Sequence, residues 1–140
     1  MTSFESEPEL VQQVLSLAVR SIEENGVYPT PAGFRKRDGQ LELYSFACSG
    51  TEALQRAVER AQSGELEELV LLVDQFTKPD QGTTLDSALI VFHRNLAGVA
   101  RIGVLEYSYN DGKDPVVLPL NWNNAFWASA YAKVLLRLAL

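Results

Sequence analysis

The sequence predicts an α+β protein: a central antiparallel sheet of about five strands flanked by three helices, in the order α-β-β-α-β-β-β-α. Three observations carry that prediction. Apolar residues recur at helical spacing near the start, middle and end of the chain, an Asp-Gly pair separates two short extended segments, and two unbroken apolar runs rich in β-branched residues lie between helical patterns. At 140 residues the chain has the length of one domain, residues 1–140, with enough apolar content to bury a core without disulfides.

The first helix follows from Pro8, well placed at a helix start, and from Leu10, Val14, Ala18 and Ile22, which recur every four residues with Val11 and Leu15 beside them. It is expected over Pro8–Glu24, with Asn25-Gly26 as its stop. After Pro29 and Pro31, Gly33–Arg37 and Leu41–Phe46 flank Asp38-Gly39 and read as a hairpin. Leu41, Leu43 and Ser45 share one face of its second strand, and Tyr44 and Phe46 share the other. Thr51 is the expected cap of a second helix whose stripe is Ala53, Leu54, Ala57, Val58 and Ala61, ending at Ser63-Gly64. Leu69–Val73 and Ala88–Phe92 read as interior strands buried on both faces. The turns Asn95–Gly98 and Asn110–Asp114 are too short for crossover helices, so Val99–Tyr109 and Val116–Leu118 continue an antiparallel meander. Pro115 and Pro119 mark its last strand as an edge. A third helix, capped at Asn123-Asn124, carries Phe126, Trp127, Ala130, Tyr131, Val134, Leu135 and Leu138 without interruption by proline or glycine.

This element order resembles the profilin-like and Roadblock or longin-type domains, a likeness of topology over nearly the whole chain. It implies a sheet sandwiched by helices in a protein that acts as a dimer or docking platform. The strings Asp38-Gly39-Gln40-Leu41-Glu42, Glu52-Ala53-Leu54, Asp86–Val91 and Val104-Leu105-Glu106-Tyr107 resemble small bacterial proteins of uncharacterised function, a likeness from which no functional residue is carried over.

Composition narrows the function classes. Acidic residues outnumber basic ones 18 to 12, and the one basic cluster, Arg35-Lys36-Arg37, is followed at once by Asp38, so a phosphate backbone is not an expected partner. The acidic balance suits docking on a basic protein. The single cysteine, Cys48, forms no internal disulfide, the start of the chain lacks a secretory pattern, and no apolar run reaches the roughly 20 residues of a membrane span. A cytoplasmic protein that does not enter membranes is expected.

No catalytic, cofactor-binding or metal-ligating set is expected. His93, the only histidine, lacks a motif that orients a base and reads as a strand-end residue at the sheet surface; Cys48 reads as a small buried hydrophobe. One Cys and one His cannot make a structural zinc site, the aspartates lack calcium-loop spacing, and no glycine-rich phosphate loop is present. The polar stretch Asp74–Asp80 reads equally as a functional loop or a plain hairpin connection.

The aromatic and amide-rich stretch Leu118–Trp127 stands out, with Tyr107 and Tyr109 upstream. Tyr107, Tyr109, Trp122, Asn123 and Trp127 are the candidate interface or ligand residues, because aromatic side chains dominate interface hot spots. The competing expectation is that Trp122 and Trp127 close the core under the last helix. The sequence therefore points to a non-catalytic interaction protein that associates with itself, as a homodimer, or with another protein. Two alternatives are a small-ligand sensor and an acidic immunity or antitoxin protein that covers a basic toxin. Enzymatic use of His93 or Cys48 ranks last.

Overall fold

The computed structural model describes residues 4–25, 30–108 and 115–139. The expected stops and turns at Gly26, Pro29 and Asn110–Asp114, and the candidate Tyr109, lie outside the described residues. In chain order the elements are α1 (Glu9–Asn25), β1 (Thr30–Lys36), β2 (Leu41–Phe46), α2 (Gly50–Gln62), β3 (Leu66–Phe76), β4 (Ser87–Arg94), β5 (Ala100–Ser108), β6 (Val116–Val117), α3 (Ala125–Ala130) and α4 (Ala132–Leu138), with a 3-10 turn at Pro79–Gln81. The α+β class holds, with six strands and four helices among the described residues where about five and three were expected.

All strand pairs are antiparallel and the sheet order is β2-β1-β3-β4-β5-β6. The strands β3 and β4 lie at its centre and are longer than their apolar runs, because pairing extends them into the flanking polar residues. The 11-residue β3 absorbs Asp74, Gln75 and Phe76 from the stretch read as a loop.

Helix α1 covers one face of the sheet, packing Leu10, Val11, Val14, Leu15, Ala18 and Ile22 onto Val70, Leu72, Leu89, Val91, Leu105 and Tyr107. Helices α2, α3 and α4 cover the other, where Ala57, Val58, Trp127 and Leu138 meet Phe34, Leu71, Ile90, Phe92 and Val104. The two-residue period of a strand sends alternate side chains into these two cores, which is why the central strands read as continuous apolar runs. Gly33 lets α1 lie close to β1: a Cβ there would stand 2.6 Å from Val14 Cγ2 and 2.8 Å from Leu10 Cδ1. Gly33→Val is expected to destabilise by about 1–3 kcal/mol through overpacking, measured as a fall in the urea midpoint at constant m-value.

Two details of the helices differ from expectation. The cap of α2 is Ser49, whose hydroxyl accepts from the Glu52 backbone N–H at 3.2 Å, rather than Thr51. The expected single C-terminal helix is two, interrupted at Tyr131 (φ −108°, ψ 21°), although Asn124 caps its start as predicted, its Oδ1 accepting from Trp127 N at 2.9 Å. Tertiary contacts override local propensity at the break. The Tyr131 ring packs edge-on against Phe92 at 5.0 Å and stacks with Trp127 at 6.0 Å, while its hydroxyl accepts a hydrogen bond from Gln75 Nε2.

Candidate functional site

The sheet face under α1 carries a line of charged and polar groups beyond the first turn of that helix. In β3, Glu68 is in phase with Val70 and Leu72; in β4, His93 is in phase with Leu89 and Val91; in β5, Arg101 is in phase with Leu105. The pairing register sets Arg35 of β1 opposite Glu68 and His93 opposite Arg101. Four adjacent strands thus contribute one polar side chain each to one row.

His93 is fully buried and Glu68 nearly so, with 0% and 3% of their surfaces exposed. This corrects the expectation of a histidine at the sheet surface. Its partner is the Glu68 carboxylate. Arg101 Nε donates to His93 Nδ1 at 3.1 Å, which assigns the ring hydrogen to Nε2, and that nitrogen donates to Glu68 Oε2 at 2.8 Å. Arg35 Nε donates to the other Glu68 oxygen at 3.3 Å. Burial alone raises a carboxyl pKa, but here the hydrogen bonds from His93 and Arg35, with the charge of Arg35, outweigh it and hold Glu68 below the ordinary value.

The row continues to the surface. Trp122 lies against β5 where Gly103 leaves room, since a Cβ at Gly103 would stand 2.8 Å from the indole ring. The Arg101 guanidinium sits over the same ring, 3.6 Å from its centroid. Trp122 Nε1 donates to both carboxylate oxygens of Glu7 at 3.1 Å, and the Arg101 terminal nitrogen lies 3.7 Å from that carboxylate.

The aromatic candidates do not form one cluster. Tyr107 is buried on the α1 face with its hydroxyl 2.6 Å from Asp74 Oδ1. Trp122 shares that face, which corrects the expectation that it closes the core under the last helix. Trp127 does fill the opposite core, beneath α3. Asn123 is exposed, and its backbone N–H donates to Asn121 Oδ1 at 2.8 Å. The sequence reading missed Glu7, Arg35, Glu68 and Arg101. For Arg35, Glu68 and Arg101 the signal was phase, since in a strand buried on both faces a charged residue in step with the core residues must be paired; Glu7, which precedes α1, carried no such signal.

A different feature stands at the sheet's side. Strand β2 has no neighbour beyond it among the described residues. Lys36 N donates to Gln40 O at 2.9 Å, which fixes the alternation: Glu42, Tyr44 and Phe46 direct their backbone groups to β1, and Leu41, Leu43 and Ser45 direct theirs outward. Leu43 and Tyr44 are 46% and 48% exposed. The strand's one charge, Glu42, is held within its own chain by Lys36 at 2.6 Å and Arg60 at 3.6 Å. An open groove of ≈ 370 Å³ runs between this edge and α2, lined by Tyr44, Phe46, Arg56 and Arg60. On the other side, Leu43 and Leu17 of α1 line a second groove.

Comparison with protein-family models, with curated proteins and with solved structures finds no match to this chain. No group of three or more His, Cys, Asp or Glu among the described residues is placed to hold a metal ion, and no helix there is long and apolar enough to cross a membrane. The buried row is an orienting frame: it fixes one imidazole tautomer and one guanidinium, and His93 itself has no surface for a reactant to reach. Among the described residues, the β2 edge offers unpaired backbone donors and acceptors beside exposed apolar side chains.

Proposed function

We propose that this chain is a non-catalytic interaction protein that associates with a second copy of itself through the free edge of β2. The observation that carries the reading is the unprotected state of that edge. Natural sheet edges are blunted by lysine, proline, bulges or brevity. The opposite edge follows the rule, with β6 only two residues long and flanked by Pro115 and Pro119. Strand β2 carries no proline and no lysine over six residues, and its glutamate is already neutralised.

A second copy suits this edge because the strand is self-complementary. An antiparallel pair about a two-fold axis at Leu43 sets Leu43 against its counterpart, both with outward backbone groups, and Leu41 against Ser45. The same axis sets Glu42 against Tyr44, so no charge meets its like. On the α1 side, Leu17 and Leu43 of both copies come together as one apolar patch. The arrangement accords with the dimeric habit that the profilin-like and Roadblock resemblance implies.

Light scattering is expected to show a dimer. Ser45→Pro removes an N–H that the isolated chain does not use, and Leu43→Lys places a charge at the axis. Each is expected to weaken association by about tenfold or more with the melting temperature of the monomer kept. A wild-type chain that stays monomeric at millimolar concentration, or a dimer indifferent to both substitutions, contradicts the proposal; capture of a foreign strand by a monomeric chain assigns the edge to another occupant.

A further inference from the structure

The end of the buried row has the form of a receptor. Trp122 Nε1–H points at both oxygens of a single carboxylate, and the Arg101 guanidinium supplies the charge that carboxylate needs. Neither group is free to turn away. Arg101 is held through Nε by His93 Nδ1 and across its face by the Trp122 ring, His93 is held by Glu68, and Glu68 by Arg35. Gly103 provides the flat bed on which the indole rests. Every part of this frame comes from β1, β3, β4, β5 or Trp122, so it is assembled without Glu7. A site whose donors are fixed before the ligand arrives loses little entropy on binding.

Charge points the same way. Arg35 and Arg101 bring two positive charges to the row and Glu68 brings one negative, with His93 in its neutral Nε2–H form, so the frame by itself is one anion short. Glu9 lies 4.0 Å from Arg35 with its side chain 67% exposed, at the far end from Trp122. Glu7 completes the balance at the Arg101 end, and its side chain retains 18% of its exposure, so the carboxylate position is reached from solvent. The segment that delivers Glu7 precedes α1 and is anchored by the buried Phe4 ring and by Gln12 Nε2, which donates to the Glu7 carbonyl at 2.6 Å.

We propose that Arg101 and Trp122, on the frame of His93, Glu68 and Arg35, form a carboxylate-binding site that is occupied in cis by Glu7 and accepts a glutamate or aspartate of an acidic peptide segment in its place. The site lies under the α1 face near β5, away from the β2 edge, and does not depend on self-association. The residues Ser6-Glu7-Pro8 serve as a built-in competitor, so a partner segment gains access when they withdraw.

The test uses the full chain with Glu7→Ala, which vacates the site at a half-buried position before the first helix. The indole N–H resonance of Trp122 is followed by NMR as sodium acetate is added against sodium chloride at equal ionic strength, with Trp127 as the internal control. The Trp122 signal of Glu7→Ala is expected to shift saturably with acetate, with an apparent Kd on the order of tens of millimolar, while wild type stays still and Trp127 does not move. A capped Ser-Glu-Pro peptide is expected to bind the variant more tightly than acetate, and capped Ser-Gln-Pro not to bind. Adding Arg101→Met to the variant is expected to abolish the shift. Should Glu7→Ala not fold, Glu7→Gln keeps the side chain's size and is expected to show the same acetate shift at higher concentration. A Trp122 signal that responds no more to acetate than to chloride, or a response that survives Arg101→Met, overturns the proposal.

Discussion

Replacing Arg94 with methionine is expected to lower the unfolding free energy by about 3–5 kcal/mol. Arg94 ends β4 on the face opposite His93 and has no exposed surface. Its terminal nitrogens donate to Ala61 O at 3.1 Å, Leu138 O at 3.3 Å and Leu66 O at 2.6 Å. Two of these acceptors are carbonyls left without partners at helix C-termini. Ser63 N serves Arg60 and Glu59 at the end of α2, which leaves Ala61 to Arg94, and Leu138 closes α4. The guanidinium therefore caps two helices at once, where their dipoles favour a cation, and ties both to the start of β3.

Burial, and secondarily the charge of Arg37, lowers the Arg94 pKa from the usual guanidinium value, and Nε has no partner among the described residues, so the residue carries a desolvation cost of its own. Methionine removes that cost but leaves three buried carbonyls facing a thioether. A lysine cannot reach all three from one ammonium, so Arg94→Lys is expected to recover less than half of the loss. Urea unfolding measures both, and exchange of the α4 amides is expected to rise first.

Glu68→Ala is expected to cost about 3–5 kcal/mol, because it strands the His93 Nε2–H and one side of Arg35 in a dry layer. Glu68→Gln keeps the shape and accepts from one of the two donors, so a smaller loss, about 2 kcal/mol, is expected. The carboxyl is held below its unfolded value, so the native state binds fewer protons than the unfolded state around that pH. Its contribution is complete above the unfolded pKa of about 4.3 and is lost as pH falls through the lower, folded value. Glu68→Gln is accordingly expected to flatten the acid limb of stability against pH, measured by urea unfolding from about pH 6 to about pH 3.

Elements whose signal is local were legible in the sequence. The stripe from Leu10 to Ile22, the Asp38-Gly39 hairpin and the faces of β2, the helix from Ala53 to Ala61 and the Asn124 cap all stand where spacing and turn chemistry place them. What was illegible depends on residues far apart in the chain. The break at Tyr131 answers to Phe92 and Gln75, and no proline or glycine announces it. His93 looked like a lone surface base because its partners Glu68 and Arg101 come from neighbouring strands, and only the register brings them to it. The two tryptophans, five residues apart in sequence, are divided by the sheet, since the chain crosses from one face to the other between Trp122 and Trp127.

The self-association proposed for β2 is tested most directly by amide exchange along that strand as a function of protein concentration. In the single chain, Glu42 and Tyr44 direct their N–H groups to β1 and are protected, while Leu43 and Ser45 direct theirs away from β1, where no described residue meets them. The edge-to-edge dimer predicts that protection at Leu43 and Ser45 rises with concentration until it matches that of Glu42 and Tyr44, and that Ser45→Pro removes it at Leu43. Rapid exchange at Leu43 and Ser45 at every concentration would contradict the account.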